Sequence, residues 1–352
     1  MSDETPALPV RPGPSTGDVA VVIPFFNGSD TLERALRSVF AQTVPAAEVL
    51  VVDDGSRPEE NQALNALAEL YPFRVLSQAN GGQGSARNLG VANTVSPYIC
   101  FLDQDDFYLP RHIEALGAAI PADDLRFGFV YADLDEADAA GRMVQHGLIA
   151  REPGRHPKRS VMDMLRHDMF VVPSAALISR EAFEAVQGFD TQFRGYEDDD
   201  LFLRIFRAGY SNHFLAQSVT VWCIHGASTS YGMTMIRSRD RFFHKMVRDF
   251  PDEPLRVRFY LRDCLVPRFG KLFVEQCMMQ VIRGDEAVRI EMSGMLARYI
   301  DVLVANPYIS RMYIARLRVF HWLMRSSMRD VLKLASRLVR MPGLRFLLRL
   351  YR

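Results

Sequence analysis

Three short apolar runs near the N-terminus constrain the fold of this chain most strongly. Val19–Ile23, Glu48–Val52 and Tyr98–Leu102 are rich in β-branched and aromatic residues, and each is followed directly by proline or aspartate. Apolar runs of this length are typical of buried strands, and the stretches between them have helical spacing. This β-α-β-α order predicts an α/β chain with a mostly parallel sheet, flanked by helices and joined by right-handed crossovers.

Acidic residues follow two of these runs. Residues 53–56 read Asp-Asp-Gly-Ser, and residues 103–106 read Asp-Gln-Asp-Asp. Ligands of open α/β sheets collect beyond the carboxyl ends of the strands. Because side chains two apart on a strand point the same way, Asp103 and Asp105 would face one side. Paired carboxylates there suit Mg²⁺ or Mn²⁺ carrying a diphosphate, although such a triplet alone could equally end a strand and cap a helix.

Charge is distributed unevenly along the 352 residues, although the formal net charge is zero. Residues 1–235 contain 18 basic and 31 acidic side chains, whereas 236–352 contain 24 basic and 11 acidic ones. We therefore predict a disordered tail over 1–17, a catalytic domain over 18–235 and a basic helical C-terminal region over 236–352. Within the catalytic domain, residues 135–160 are expected to form an excursion from the sheet.

Five motifs, taken together and in this order, resemble those of the family 2 glycosyltransferases of the GT-A fold. The resemblance covers about residues 18–230. The motifs are Val-Val-Ile-Pro-Phe-Phe-Asn (21–27), Val-Val-Asp-Asp-Gly-Ser (51–56), Asn-Gly-Gly-Gln-Gly-Ser-Ala-Arg-Asn-Leu-Gly (80–90), Phe-Leu-Asp-Gln-Asp-Asp (101–106) and Gly-Tyr-Glu-Asp-Asp-Asp-Leu-Phe-Leu-Arg (195–204).

The resemblance implies a nucleotide-sugar donor, with UDP-sugars the commonest choice in the family. Asp54 would contact the base, with Asp53 nearby, although an acid in Asp-Gly-Ser could simply stabilise a turn. Pro24 and Phe26 would line the base pocket, and a structural role fits Phe26 nearly as well. Gly82 belongs to a loop that could pass close to the donor.

The resemblance also implies a divalent metal ion, Mn²⁺ or Mg²⁺, at the D-x-D motif. Asp103 would contact the ribose or the metal, and Asp105 would be a metal ligand. His225 follows an apolar run and would complete the ligand set, or it is a structural histidine. Arg87 would lie near the ribose or phosphates, or its guanidinium would hold Asp103.

Four consecutive acids, residues 197–200, open a predicted helix. Acids in a first helical turn interact favourably with the helix dipole, but four of them exceed what capping needs. By resemblance Asp198 is the general base that deprotonates the acceptor hydroxyl, which implies inversion at the anomeric carbon. Glu197 and Trp222 are acceptor-side candidates, with packing as the alternative for Trp222. The Gln-x-x-Arg-Trp motif of processive synthases is absent, which favours transfer of one or a few sugars.

Residues 311–352 contain 11 basic side chains and the single acid Asp330. Basic amphipathic helices of this kind favour contact with an anionic membrane surface, although a cap on the catalytic domain or a homo-oligomer interface also fits. Nucleic acid is not an expected partner. The N-terminus lacks a signal segment and the four cysteines show no zinc pattern, which together predict a cytoplasmic protein, peripheral on the inner face of the cell membrane.

These observations favour an inverting, metal-assisted glycosyltransferase that transfers a sugar to a hydroxyl of a saccharide or lipid-linked acceptor. The expected setting is cell-surface polysaccharide or glycan biosynthesis. One alternative is a nucleotidyltransferase that activates a sugar phosphate, but the glycine- and lysine-rich signature expected after the first strand is absent. The other alternative is a non-catalytic, membrane-associated adaptor, which would be expected to have lost Asp105 or Asp198.

Overall fold

The computed structural model describes residues 18–224, 232–283 and 286–325. β1 pairs in parallel with β2 on one side and with β4 on the other, and β2 pairs in parallel with β3. The predicted α/β class is therefore confirmed. The elements of this part are β1 (Val19–Phe25), α1 (Ser29–Phe40), β2 (Glu48–Asp53), α2 (Pro58–Leu70), β3 (Arg74–Ser77), α3 (Gln83–Ala92) and β4 (Tyr98–Phe101).

β1 lies at the centre of this part and is buried along its whole length. Its odd-numbered side chains, such as Val21 and Ile23, share one core cluster with Leu32 and Leu36 of α1. Successive side chains of a strand point to opposite faces, so the even-numbered Val22 faces the other layer, where it meets α3. Burial on both faces explains why the run is apolar without alternation.

The first predicted strand is the run Val19–Ile23, with Pro24 after its end, but in the structure Pro24 lies within β1 and pairs with Val52 of β2. Proline has no N–H to donate to a neighbouring strand. The pairing of β1 with β4 ends at Val22, whose carbonyl accepts from the amide of Leu102. Backbone groups two residues apart on a strand face the same neighbouring strand, so the nitrogen of Pro24 faces the β4 side, as the backbone of Val22 does. The pairing with β4 has already ended there, so no hydrogen bond between the strands is lost.

The sheet continues beyond β4 with strands of mixed direction. In the described part of the chain the order is β3-β2-β1-β4-β8-β6-β9-β5, and β7 pairs with β6. β8 is antiparallel to both β4 and β6, whereas β6 and β9 are parallel. These elements are β5 (Phe107–Tyr108), α4 (His112–Ala118), β6 (Phe127–Asp138), β7 (Met143–Gln145), α5 (Val161–Arg166), β8 (Ala176–Ser179), α6 (Arg180–Ala185), α7 (Glu197–Arg207) and β9 (Ser211–Ile224).

The start of the expected excursion over 135–160 is part of the sheet. β6 continues through Asp138, pairs with β9 along its length and turns back into β7. Its acidic residues are compatible with a buried strand because they are hydrogen-bonded. Asp133 accepts three backbone amides, and Asp135 accepts a serine hydroxyl and a backbone amide.

The chain divides into two compact units. The first consists of the residues up to Met164 together with Asp168–Phe242 and contains the sheet. The second consists of Leu165–His167 together with the residues from Phe243 onward. The domain boundary predicted between residues 235 and 236 remains a prediction.

The second unit is helical, as predicted for the C-terminal region. It contains the end of α8 (Met233–Asp249) and the helices α9 (Val266–Arg283), α10 (Glu286–Ala305) and α11 (Arg311–Arg325). Within the described ranges, no helix combines the length and apolarity that a membrane span requires. The core of the second unit contains a cluster of buried aromatic rings, namely Phe243, Phe269, Phe273 and Tyr299.

Gly90 allows α3 to approach β1 closely, and this contact can be tested. A Cβ atom built on Gly90 would lie 2.3 Å from Cγ1 of Val22. We expect Gly90→Ala to lower the free energy of unfolding by ~1–3 kcal/mol, because the core has no room for the extra methyl group. Urea denaturation followed by circular dichroism measures this change.

A double-mutant cycle provides the control. In a Val22→Ala background the obstructing Cγ atoms are absent, so Gly90→Ala should cost less than it does in the wild type. Gly294 of α10 has only an arginine tip within reach of its Cβ position, at 3.8 Å, so Gly294→Ala should be neutral or stabilising. Equal costs of Gly90→Ala in both backgrounds would contradict the proposed steric limit.

Candidate active site

A cavity of about 1070 Å³ opens at the carboxyl ends of β1, β2 and β4. All of its lining residues belong to the sheet-containing unit. The cavity brings together most of the site residues that the sequence suggested. Those that line it are Pro24, Phe26, Asp54, Gly82, Arg87, Asp103, Asp105, Glu197, Asp198 and Trp222.

Among the suggested residues that the structure describes, Asp53 does not line the cavity. The carboxylate of Asp53 accepts the amide of Ser56 at 2.9 Å and so stabilises the turn after β2. His225 lies outside the described residues, so its role as a metal ligand stays a prediction.

The carboxylate of Asp54 holds the glycine loop. Its Oδ1 accepts the amide of Gly81 and Nε2 of Gln78, and its Oδ2 accepts the amide of Gly82, each at 2.7 Å. Gly82 has a φ of 88°, a conformation that favours glycine. Since a carboxylate oxygen can accept two donors, Oδ2 retains capacity for one more, and stabilising the loop does not exclude contact with a base.

Gln104, the middle residue of the D-x-D motif, was missed by the sequence reasoning. Its side-chain amide accepts the N–H of Phe26 at 2.8 Å and donates to the carbonyl of Phe26 at 3.2 Å. The amide also lies directly against Gly28, where a Cβ atom would come within 2.1 Å of Nε2. Gln104 thus joins the end of β1 to the acidic loop, and no local sequence signal distinguishes it from a variable position.

Arg87 lies at the base of the cavity and is almost completely buried, with 1% of its surface exposed. Its Nη2 donates to Asp103 and its Nη1 donates to Glu197 at 3.1 Å. The guanidinium also lies 5.8 Å and 5.3 Å from the ring centroids of Phe101 and Phe189. The structure thus has Arg87 holding Asp103, and because Arg87 also lines the cavity, its place near the ribose or phosphates stays a prediction.

The four acids that open α7 have different environments. Glu197 is buried and paired with Arg87, and Asp200 is paired with Arg204 at 2.7 Å. Asp198 and Asp199 line the cavity, and Asp198 is only half-buried. Arginine pairing therefore engages Glu197 and Asp200, and three of the four acids, Glu197, Asp198 and Asp199, line the cavity.

Asp198 lies in an environment that favours its protonated form. Desolvation, followed by the charges of Glu197 and Asp199, raises its pKa well above the ordinary range, and Arg87 offsets part of this effect. Its Oδ1 accepts the amide of Asp199 at 2.8 Å. A carboxylate with a raised pKa is better able to accept a proton from a hydroxyl than an ordinary aspartate is.

The D-x-D motif places two carboxylates on the cavity wall and a third beneath them. Asp103 and Asp105 are partly exposed, whereas Asp106 is buried and accepts the amide of Cys223 at 2.9 Å. Burial, followed by the charges of Asp103 and Asp105, raises the pKa of Asp106 well above its usual range. Asp106 therefore supports the loop from below, and the other two acids face the cavity.

The cavity carries an excess of negative charge among its described lining residues, with eight acids and three arginines. A nucleoside diphosphate is itself an anion, so a cation would have to offset this repulsion. The acids are Asp30, Asp54, Asp103, Asp105, Asp168, Glu197, Asp198 and Asp199, and the arginines are Arg87, Arg194 and Arg239.

The donor set fits a metal ion that is bound together with a diphosphate. No group of three or more metal-ligating side chains gathers around one point in the part of the chain that the structure describes. Mg²⁺ in nucleotide sites is usually held by one or two carboxylates, with substrate phosphates and water as the other ligands. Asp103 and Asp105 are therefore sufficient protein ligands for such a metal ion.

One side of the cavity is apolar. It includes the segment 169–173, Leu148 and Trp222. Phe170 has a φ of 49°, which is uncommon for an aromatic residue, and it packs with Trp222 against a small core cluster. Sequence reasoning had singled out only Trp222 on this wall, because nothing in the local pattern of 169–173 marks it as part of a site.

Comparison with known proteins agrees with this arrangement. Residues 20–187 match the profile of glycosyl transferase family 2, and residues 172–223 match that of the N-terminal domain of galactosyltransferase. The succinoglycan biosynthesis protein ExoW of Rhizobium meliloti is 31% identical over 242 residues, which is 63% of this chain and 72% of ExoW.

Two solved structures resemble the protein in fold. Residues 1–349 of S. aureus TarS, in complex with UDP-GlcNAc, give a TM-score of 0.60 at 14% identity and cover 91% of both chains. The mannosyltransferase PcManGT from Pyrobaculum calidifontis, in complex with GDP-Man and Mn²⁺, gives a TM-score of 0.53 at 17% identity, covering 87% of this chain and 85% of its own.

The fold is that of a GT-A type α/β protein, with an acidic cavity at the carboxyl ends of its parallel strands. The chain belongs to glycosyl transferase family 2, as its ordered motifs predicted. The matched region spans 27% of one Rickettsia bellii relative and 65% of one from Rickettsia prowazekii, both described as glycosyltransferases.

The pairing of Arg87 with two acids can be tested by a second cycle. We expect Arg87→Met to lower the free energy of unfolding by ~3–5 kcal/mol, because it leaves the buried carboxylate of Glu197 without a counter-charge. Adding Glu197→Gln should recover part of this loss, since it removes one of those charges. Urea denaturation measures both variants, and strictly additive losses would show that Arg87 and Glu197 do not interact.

Proposed function

We propose that the protein transfers a sugar from a nucleotide-sugar donor, a UDP-sugar in the first instance, to a hydroxyl of a saccharide or lipid-linked acceptor. The observation that carries the proposal is the presence of Asp54, Asp105 and Asp198 on the wall of one cavity, although they lie far apart in the sequence. Asp54 would contact the base of the nucleotide, Asp105 would bind the metal ion, and Asp198 would act on the acceptor hydroxyl.

Donor binding is assigned to the ends of β1 and β2. Pro24 and the half-exposed ring of Phe26 offer an apolar surface for the base, and Oδ2 of Asp54 can accept one base N–H. Gly82 has no side chain, so the donor could approach the backbone of the glycine loop closely at this residue. UDP is preferred because of the family resemblance and because TarS was solved with UDP-GlcNAc, while the GDP-Man complex of PcManGT makes GDP-sugars the next candidates.

A divalent cation would be held by Asp105 and Asp103, with the donor diphosphate supplying further oxygen ligands. When bound, Mn²⁺ or Mg²⁺ stabilises the negative charge that builds on the departing nucleoside diphosphate. Arg87 keeps Asp103 oriented, and Gln104 fixes the loop between the two acids. The Mn²⁺ complex of PcManGT supports this assignment.

Asp198 would act as the general base. Its carboxylate takes the proton of the acceptor hydroxyl while that oxygen attacks the anomeric carbon, and the bond to the nucleoside diphosphate breaks on the opposite face. A single displacement of this kind inverts the configuration of the sugar. Arg87 holds Glu197, the residue next to Asp198, and so steadies the start of α7. The ring of Trp222 provides an apolar wall for the acceptor.

The name of ExoW, a succinoglycan biosynthesis protein, supports a role in cell-surface polysaccharide synthesis. A lipid-linked acceptor would place the enzyme at the inner face of the cell membrane, in agreement with the basic residues over 311–352. Peripheral attachment, a cytoplasmic location and assembly into a homo-oligomer are parts of this proposal.

Replacing Asp198 tests the assignment of the base. Asp198→Asn should lower the turnover rate by ~10²–10⁴-fold while leaving donor affinity within a few-fold of wild type, because general base catalysis contributes this much. Product formation from a labelled UDP-sugar measures the rate, and calorimetry with UDP and Mn²⁺ measures affinity.

Asp199→Asn is the matched control, since Asp199 also lines the cavity beside Asp198. It should retain most of the activity. Wild-type turnover in Asp198→Asn, or complete loss only in Asp199→Asn, would assign the base elsewhere.

Thermal stabilisation by nucleotides tests donor class and metal dependence together. UDP with Mn²⁺ should raise the melting temperature, whereas UDP after EDTA treatment should give a smaller shift, because the acidic wall repels a diphosphate that has no counter-ion. A larger shift with GDP or dTDP would change the assigned donor. No shift with any nucleotide would favour a non-catalytic adaptor.

A further inference from the structure

A second cavity, of about 320 Å³, lies between α10 and α11 in the helical unit. Its volume is at the lower end of the range for small-molecule sites. Arg318, His321, Trp322 and Arg325 of α11 line it, together with Asp301 of α10. The family motifs all lie outside this unit, so nothing in the proposed sugar transfer uses this cavity.

The polar groups of this cavity favour an anion. Neither Arg318 nor Arg325 forms a salt bridge with any of the residues that the structure describes, and Asp301 is the only acid among the lining residues. His321 is already engaged, because its Nε2 lies 2.9 Å from Oγ of Ser293. Two guanidinium groups that have no acidic partner among the described residues, at one small cavity, suit a phosphate, which accepts bidentate hydrogen bonds from arginine.

The surface of α11 beside the cavity is both apolar and basic. Met312, Val319 and Trp322 are 64%, 59% and 59% exposed, although they are large apolar side chains. Their spacing of seven and three residues places them along one side of the helix. α11 also contains four arginines and no acid, and residues 326–352 add seven basic residues against one acid.

We propose that the cavity between α10 and α11 binds the phosphate group of an anionic membrane lipid, while Met312, Val319 and Trp322 contact the boundary between head groups and acyl chains. Arginine forks bind the phosphate, and tryptophan is favoured at this boundary because its ring is apolar and its N–H is polar. A soluble phosphate would leave the exposed apolar side chains without a role. An anionic lipid would contact both parts of α11, since its phosphate would bind the cavity arginines and its acyl chains would contact the exposed apolar side chains.

Tryptophan fluorescence of the full-length protein tests this site without any sugar donor. The chain has two tryptophans, so a Trp222→Phe variant reports on Trp322 alone. Vesicles of phosphatidylcholine containing phosphatidylglycerol should shift the emission to the blue, and pure phosphatidylcholine vesicles should not. Unchanged emission with both kinds of vesicle would overturn the proposal.

Charge-matched variants separate the cavity from general attraction to a charged surface. Arg318→Gln/Arg325→Gln removes the two cavity arginines, and Arg311→Gln/Arg316→Gln removes two exposed arginines of the same helix that do not line it. We expect the first pair to weaken vesicle binding about tenfold more than the second, as the loss of a charge-assisted hydrogen bond implies. Equal weakening would mean that the cavity is not a site.

Two further measurements exclude trivial outcomes. Arg318→Lys/Arg325→Lys keeps the charge and removes the fork, so it should bind more weakly than wild type but more tightly than the glutamine pair, with an unchanged melting temperature. Glycerol 3-phosphate without vesicles should cause little stabilisation. Stabilisation by this soluble phosphate that depends on Arg318 and Arg325, in a protein that does not bind vesicles, would overturn the assignment to a lipid.

Discussion

Arg87 is the buried cation on which the candidate active site depends, since it joins Asp103 at the end of β4 to Glu197 at the start of α7. A buried guanidinium is costly unless it is paired, and here two carboxylates and two aromatic rings surround it. One side chain therefore joins the loop after β4 to the start of α7. A shift of α7 would disturb Asp103 as well as Asp198.

Ion pairs and backbone hydrogen bonds engage several of the acids near this cavity. Glu197 is neutralised by Arg87, Asp200 by Arg204, and Asp54 is held by backbone amides of the glycine loop. Asp105 and Asp198 face the cavity, and nearby carboxylates contribute to the raised pKa of Asp198. Entry of a cation with the donor would relieve this repulsion, so metal binding and donor binding are expected to be linked.

The two cavities described above would hold phosphate in two different ways. The acidic cavity suits a diphosphate that arrives with a divalent cation, because its carboxylates repel the free anion. The cavity beside α11 offers arginine forks directly and has only one acid, Asp301. This contrast follows the uneven charge of the chain, which is acidic up to residue 235 and basic beyond it.

The sequence by itself determined the order of strands and helices up to β4, the family, and which acids follow which strands, because hydrophobic periodicity and motif order can be read along the chain without knowing which elements are neighbours. It did not reveal that Pro24 is tolerated inside β1, that Asp133 and Asp135 belong to a buried strand, or that Gln104 binds Phe26. Each of these depends on which element lies alongside. Likewise the pairing of Arg87 with Asp103 and Glu197, and the turn role of Asp53, followed only from tertiary packing, since a side chain's hydrogen-bond partner is set by what folding brings within about 3 Å of it.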